Sequence, residues 1–214
     1  MGKLRRAIVD TALITPSGAL SPGPLSASAI AAGAGLGVLG GLLTAVGHLV
    51  VEVPYFVALV VLSEIIEERL GRVRVFLDLF AAGFMVFFAV LLVESGVALL
   101  GGEGFSPGSI ISSPITALFN GIVLTGANAY FLAWWFTVGK PIVDSARELG
   151  WRGGGIVYAV HYSYDLVWLV ALSMLGGIIA STGAGYLAGL MFVLAAILLY
   201  FGYKMISPYL SRMG

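Results

Sequence analysis

Two histidines and two carboxylates stand at the same spacing in two parts of the chain. His48 is followed four residues later by Glu52, and His161 is followed four residues later by Asp165. Residues four apart share one face of an α-helix, so each pair presents its side chains together. Such groups attract a metal ion, an ammonium group or protons, because histidine titrates near neutral pH and imidazole with carboxylate binds zinc, iron or manganese. The alternative is two structural pairs that clamp helices together by hydrogen bonds.

Each pair follows a segment that weakens a helix. Ser21-Pro22-Gly23-Pro24 precedes the first pair, and Thr125-Gly126-Ala127-Asn128 precedes the second. Proline has no amide donor and clashes with the preceding turn, so backbone groups are left free at the first segment. Within a membrane such groups are tolerated only inside protein or beside a water-filled cavity. We therefore expect two helix breaks, with Ser21, Thr125 and Asn128 offering neutral oxygens to a binding site; a purely structural kink is the alternative.

The composition is that of a membrane protein. Hydrophobic residues make up 59% of the 214 residues and charged residues only 10%, with a mean hydropathy of +1.03. Soluble domains carry about 25% charged residues. The chain has no cysteine, which excludes disulfides and thiolate metal sites. Its zero net charge gives no sign of a nucleic-acid partner, and no nucleophile–base motif or nucleotide-binding loop indicates an enzyme. A membrane enzyme or redox carrier is therefore the least favoured class.

Six stretches have the roughly 20 apolar residues that a membrane-spanning helix needs. They are residues 7–33, 37–62, 75–100, 114–139, 153–179 and 184–206. All eleven lysines and arginines fall before the first span, at the C-terminal end, or in two of the five connections: Lys3, Arg5, Arg6, Arg69, Arg72, Arg74, Lys140, Arg147, Arg152, Lys204 and Arg212. The positive-inside rule then places both termini in the cytoplasm of a multi-pass plasma-membrane protein. We expect no cleaved signal peptide, since the first residues lack a clean apolar run and cleavage site.

The recurrence of the motifs predicts one transporter domain over 1–214 with two related halves, 1–100 and 114–206. Three spans per half is an odd number, so the second half enters the membrane from the opposite side. Transporters with such inverted repeats bind their substrates near the midplane, between the halves. The fold class that we expect is therefore an all-α membrane protein of six helices, with helices one and four broken.

These residues resemble the lysine exporter (LysE) superfamily of small membrane transporters. The resemblance covers nearly the whole chain and is carried by Ser21-Pro22-Gly23-Pro24, the glycine-rich turn Gly33 to Gly41, Gly47, the Asn128 region and the stretch from Asp165 to Trp168. It implies an exporter of amino acids or other small solutes, usually driven by the proton gradient. No cofactor is required, the partners are the lipid bilayer and the solute, and a homodimer is left open.

Two departures from that superfamily bear on the cargo. Its second-half Asn-Pro pair is Asn128-Ala129 here, so we expect a gentler second break. The pairs His48/Glu52 and His161/Asp165 are richer in metal ligands than an amino-acid exporter requires. We therefore expect proton-coupled export of amino acids or related metabolites by alternating access. The alternative is a divalent metal exporter with those four side chains as ligands. The aromatic group at Tyr130, Phe131, Trp134 and Trp135 is interpreted as helix packing.

Overall fold

Regular structure in the described chain is entirely helical. The computed structural model describes residues 2–20, 23–101, 111, 113–182 and 184–210. Its helices are α1 (Lys3–Ile14), α2 (Pro16–Ala19), α3 (Pro24–Leu36), α4 (Val38–Leu100), α5 (Pro114–Gly126), α6 (Ala129–Phe136), α7 (Lys140–Thr182) and α8 (Ala184–Leu210). The expectation of an all-α fold is confirmed over these residues.

Both expected helix breaks are present. In the first half, Gly23 is extended, with φ −161° and ψ −177°, and Pro24 then begins α3 at a position where its missing amide costs nothing. In the second half, Asn128 is extended and its side-chain oxygen accepts a 3.2 Å hydrogen bond from the Phe131 amide. The axes of α5 and α6 differ by 54° across this break. The asparagine side chain thus caps the helix that begins after the bend.

Helix α4 contains two of the predicted spans, 37–62 and 75–100, in one 63-residue element. His48 and Met85 of this helix line the same cavity. In a straight helix, 37 residues would separate them by about 55 Å. The element therefore folds back on itself between the two residues. Helix α7 also contains a break, because Gly150 has a φ of 64° just before the predicted span at 153–179.

Two described helices are long and apolar enough to cross a membrane, Val38–Leu62 and Lys140–Ile179. The bent pair Pro114–Gly126 and Tyr130–Phe136 passes the same test when it is counted as one span. Large apolar side chains also face outward, as at Ile115 with 79% exposure, which suits a surface covered by lipid. The count of six spans and the inverted repeat stay predictions.

Small residues let the broken helices pack closely on the helices that carry the histidines. A methyl group on Gly33 of α3 would overlap the Ser173 carbonyl of α7, and one on Gly47 of α4 would overlap the Leu118 carbonyl of α5. Small residues allow such close approach between helices in membrane proteins. An ion pair between Lys3 of α1 and Glu148 of α7 places the N-terminus and the charged connection at the same end of the molecule.

Candidate functional site

The four predicted side chains meet in one buried cluster, which we call the polar centre: His48, Glu52, His161 and Asp165. The His48 Nε2 lies 3.3 Å from Glu52 Oε2 and 3.9 Å from Asp165 Oδ2. The His161 Nε2 lies 3.3 Å from Glu52 Oε1 and 3.2 Å from Asp165 Oδ2. Each residue is less than one-tenth exposed, and Glu52 is only 1% exposed. Residues 109 positions apart along the chain thus contribute to one ionisable cluster.

A threonine on the opposite half of the chain holds each histidine. Thr125, near the end of α5, places its Oγ1 3.0 Å from His48 Nδ1. Thr15, which follows α1, places its Oγ1 3.0 Å from His161 Nδ1. The broken helix of each half therefore contacts the histidine of the other half, and we call these two reciprocal contacts the crossed threonine contacts.

The direction of these hydrogen bonds indicates which ring nitrogen of each histidine carries a proton. Thr125 donates its hydroxyl proton to the Gly121 carbonyl at 2.6 Å, so its oxygen accepts a proton from His48 Nδ1. The His48 Nε2 then faces the carboxylates, with a lone pair in the neutral ring and a proton in the charged ring. His161 has the opposite arrangement, since its Nε2 is in hydrogen-bond contact with Glu52 Oε1 and Thr15 can donate to its Nδ1. The protons are assigned from the hydrogen-bond network.

The two carboxylates have different surroundings. Glu52 accepts hydrogen bonds from Trp135 Nε1 at 3.2 Å and from the Tyr158 hydroxyl at 3.0 Å. In contrast, Asp165 Oδ2 and His48 Nε2 are buried atoms with no hydrogen-bond partner of acceptable geometry in the described chain. Buried polar atoms are nearly always paired, so this unpaired couple needs an explanation. Glu52 is anchored, whereas Asp165 is available to a ligand.

A cavity of about 70 Å³ opens beside the polar centre. Its wall includes all four ionisable residues and both helix breaks, at Gly23–Pro24 and at Asn128. The breaks lie close together, since a methyl group on Gly23 would come within 3.9 Å of the Asn128 amide nitrogen. The arrangement joins charged side chains and irregular backbone around a space for a small ion or for part of a small solute.

A family model described as LysE type translocator matches residues 16–208, nearly the whole chain. The chain belongs to this family. No curated protein and no solved structure shows significant similarity to it. Membership confirms the resemblance found in the sequence and makes the chain a membrane transporter of small solutes. Proteins of this family are transporters and not enzymes.

The remaining predicted site residues of this LysE translocator take different places. Thr125 is fully buried against His48, while Asn128 caps α6 and lines the cavity. Gly23 and Pro24 line the cavity at the first break. Ser21 and Pro22 lie outside the described residues, so their part in the site stays a prediction.

Sequence reasoning missed three residues that contact the polar centre of the translocator: Thr15, Trp135 and Tyr158. A signal for Thr15 existed, since it precedes His48 by 33 residues, much as Thr125 precedes His161 by 36. Trp135 was interpreted as packing, and that interpretation was incomplete because its ring nitrogen donates to Glu52. For Trp135 and Tyr158 the only signal was that a buried carboxylate needs donors.

Proposed function

We propose that the chain is a secondary active exporter of a small solute that carries a positive charge, either the ammonium group of an amino acid or related metabolite or a divalent metal ion, in exchange for protons by alternating access. One observation carries the proposal: Asp165 and His48, from different halves, line a shared cavity next to both helix breaks, and each has a buried polar atom that forms no hydrogen bond. A carboxylate in a membrane protein costs several kcal/mol, about 2.5–3.5 on insertion scales, and such groups mark ion or substrate pathways. Crossed threonine contacts are also what an inverted repeat would produce.

The first cargo class is an amino acid or a related metabolite, as for exporters that the sequence resembles. The helix N-termini at Pro24 and Ala129 lie beside the cavity, and their amide dipoles favour a substrate carboxylate. Asp165 would then hold the ammonium group, and His48 and His161 would tune its charge. Rocking of residues 1–100 against 114–206 would expose this site to each side of the plasma membrane in turn, with both termini in the cytoplasm.

The second cargo class is a divalent metal ion, and the size of the cavity favours it. Pockets for organic ligands usually measure about 300–1,000 Å³, whereas the space here is about 70 Å³. A water molecule takes about 30 Å³, so in this conformation the cavity has room for about two waters, which suits an ion that has lost most of its hydration shell. An amino acid would require the cavity to enlarge.

The proposal is tested with the purified protein in liposomes. Efflux of a panel of amino acids and of Zn²⁺ and Mn²⁺ is measured with and without an imposed pH gradient. We expect one of these two solute classes to be released faster under the gradient than from empty liposomes. If no member of either class moves faster than in empty liposomes, the proposal is overturned.

A further inference from the structure

We infer that His48, Glu52 and Asp165 form a binding site for a divalent first-row transition-metal ion, with His161 as an outer-shell partner. This inference rests on the proposed function, because it names the solute class of the same site. It differs from the sequence-derived alternative, in which all four side chains were ligands.

The three residues have the spacing of a ligand set. One atom from each lies within 4.8 Å of the other two, and all three residues are buried. Zinc binds histidine nitrogen and carboxylate oxygen at about 2.0–2.2 Å, so neighbouring ligands around one ion lie about 3.0–3.5 Å apart. The His48 Nε2 is 3.3 Å from Glu52 Oε2 and 3.9 Å from Asp165 Oδ2. A small rotation of Asp165 would complete the fit.

The unpaired atoms point to a cation at this place. The His48 Nδ1–H is committed to Thr125, so in the neutral ring, the form that binds a metal, the Nε2 lone pair faces two carboxylates, and acceptors facing acceptors repel. Both His48 Nε2 and Asp165 Oδ2 lack a hydrogen-bond partner, although His48 is 96% buried and Asp165 is 93% buried. A cation among these atoms would pair both of them and remove the repulsion.

An outer shell for the ion is already in place. The His161 Nε2 is in hydrogen-bond contact with Glu52 Oε1 at 3.3 Å, so it orients Glu52, and it lies 3.2 Å from Asp165 Oδ2 without forming a hydrogen bond to it. Trp135 and Tyr158 also donate to Glu52, and Thr125 orients His48. Metal ligands are usually held by such outer partners, which fix the ring orientation and raise ligand basicity.

The ligand chemistry selects the class of ion. One imidazole with two carboxylates suits zinc, iron(II) or manganese, whereas calcium and magnesium take oxygen ligands alone. The chain has no cysteine, which disfavours soft ions such as copper(I). Two negative carboxylates also neutralise a dication in a buried site, and buried charges are tolerated only when they are paired.

The test uses the full-length protein purified in detergent. After dialysis against Zn²⁺, Mn²⁺ or Co²⁺, bound metal is counted by mass spectrometry, and the visible spectrum of the Co²⁺ sample reports nitrogen and oxygen ligation without any variant. We expect one saturable ion per chain, lost in His48→Gln and Asp165→Asn, and weakened by about 10–100-fold in His161→Gln. Glu94→Gln, which removes an exposed carboxylate of α4, is the matched control and keeps full binding.

Two results would overturn the inference: no saturable ion in the wild type, or unchanged affinity in folded His48→Gln. Liposome assays separate this failure from failure of the proposed function. If the protein binds no metal but exports an amino acid in a manner that depends on Asp165, the metal site is overturned and the proposed exporter function is retained. If the protein binds one ion but moves no solute, the metal site is retained and the proposed exporter function is overturned.

Discussion

His48 and Thr125 lie 77 residues apart in the chain, and their side chains are 3.0 Å apart in the folded protein. Because Thr125 already donates to the Gly121 carbonyl, it can only accept from the histidine. The contact therefore decides which His48 nitrogen faces the carboxylates. It also connects the break in the second half to the histidine of the first half, so a substitution of Thr125 alters a direct contact of the polar centre.

Replacement of Thr125 by valine should destabilise the protein. The change keeps the shape of the side chain but leaves the buried His48 Nδ1–H without an acceptor, which costs about 1–3 kcal/mol. Thermal unfolding in detergent measures the loss. Thr125→Ser retains the hydroxyl and is the control, and equal stability of the valine and serine variants would contradict the assigned hydrogen bond.

Neutralising the two carboxylates should have different consequences. Glu52→Gln brings an amide NH₂ toward the donors Trp135 and Tyr158, so it should lower stability. Asp165→Asn has no such donors at its Oδ2, so the protein should fold normally and lose its cation site. Unfolding temperature and bound Co²⁺ are measured for both variants. Equal stability of the two variants would show that the difference in their surroundings is unimportant.

A methyl group on Gly33 should weaken the contact between α3 and α7. Its Cβ would overlap the Ser173 carbonyl, a backbone group that cannot move aside, and overpacking of this kind costs about 1–3 kcal/mol. Gly83→Ala is the control, since nothing lies within 4 Å of a Cβ there and alanine favours a helix. Unfolding curves for both variants check the prediction, which fails if Gly33→Ala unfolds no earlier than the control.

Loss of the Tyr158 hydroxyl should weaken cation binding and leave the fold intact. Tyr158→Phe removes one donor from Glu52 and keeps the ring against Phe56, at a centroid separation of 4.8 Å. Loss of an outer-shell partner typically costs about 10–100-fold in metal affinity. Titration with Co²⁺ measures the change, and Tyr186→Phe, at an exposed tyrosine, is the control. Unchanged affinity in Tyr158→Phe would show that this hydrogen bond does not support the site.

Local chemistry explains which parts of the molecule the sequence could predict. Four-residue spacing on a helix brought His48 beside Glu52 and His161 beside Asp165, and proline with glycine indicated the first break. Family resemblance, carried by those same segments, was confirmed. The number of spans and their orientation in the membrane stay predictions.

Long-range contacts explain what sequence reasoning missed. Thr15 meets His161 across 146 residues, and nothing within its own segment indicates that partner. Trp135 looks apolar in sequence, and only the placement of Glu52 against its ring nitrogen gives it a polar role. The helices on either side of Asn128 differ in direction by 54°, and the hydrogen bond from the Phe131 amide to the Asn128 side chain forms only once the backbone has bent there.

We propose that the polar centre binds the cation that the translocator exports. The most direct test of this proposal is efflux from liposomes driven by a pH gradient, compared between Asp165→Asn and Glu94→Gln, with folding checked by gel filtration. We expect efflux by Asp165→Asn to fall to the rate of empty liposomes and efflux by Glu94→Gln to match the wild type. Wild-type efflux by a folded Asp165→Asn protein would contradict it.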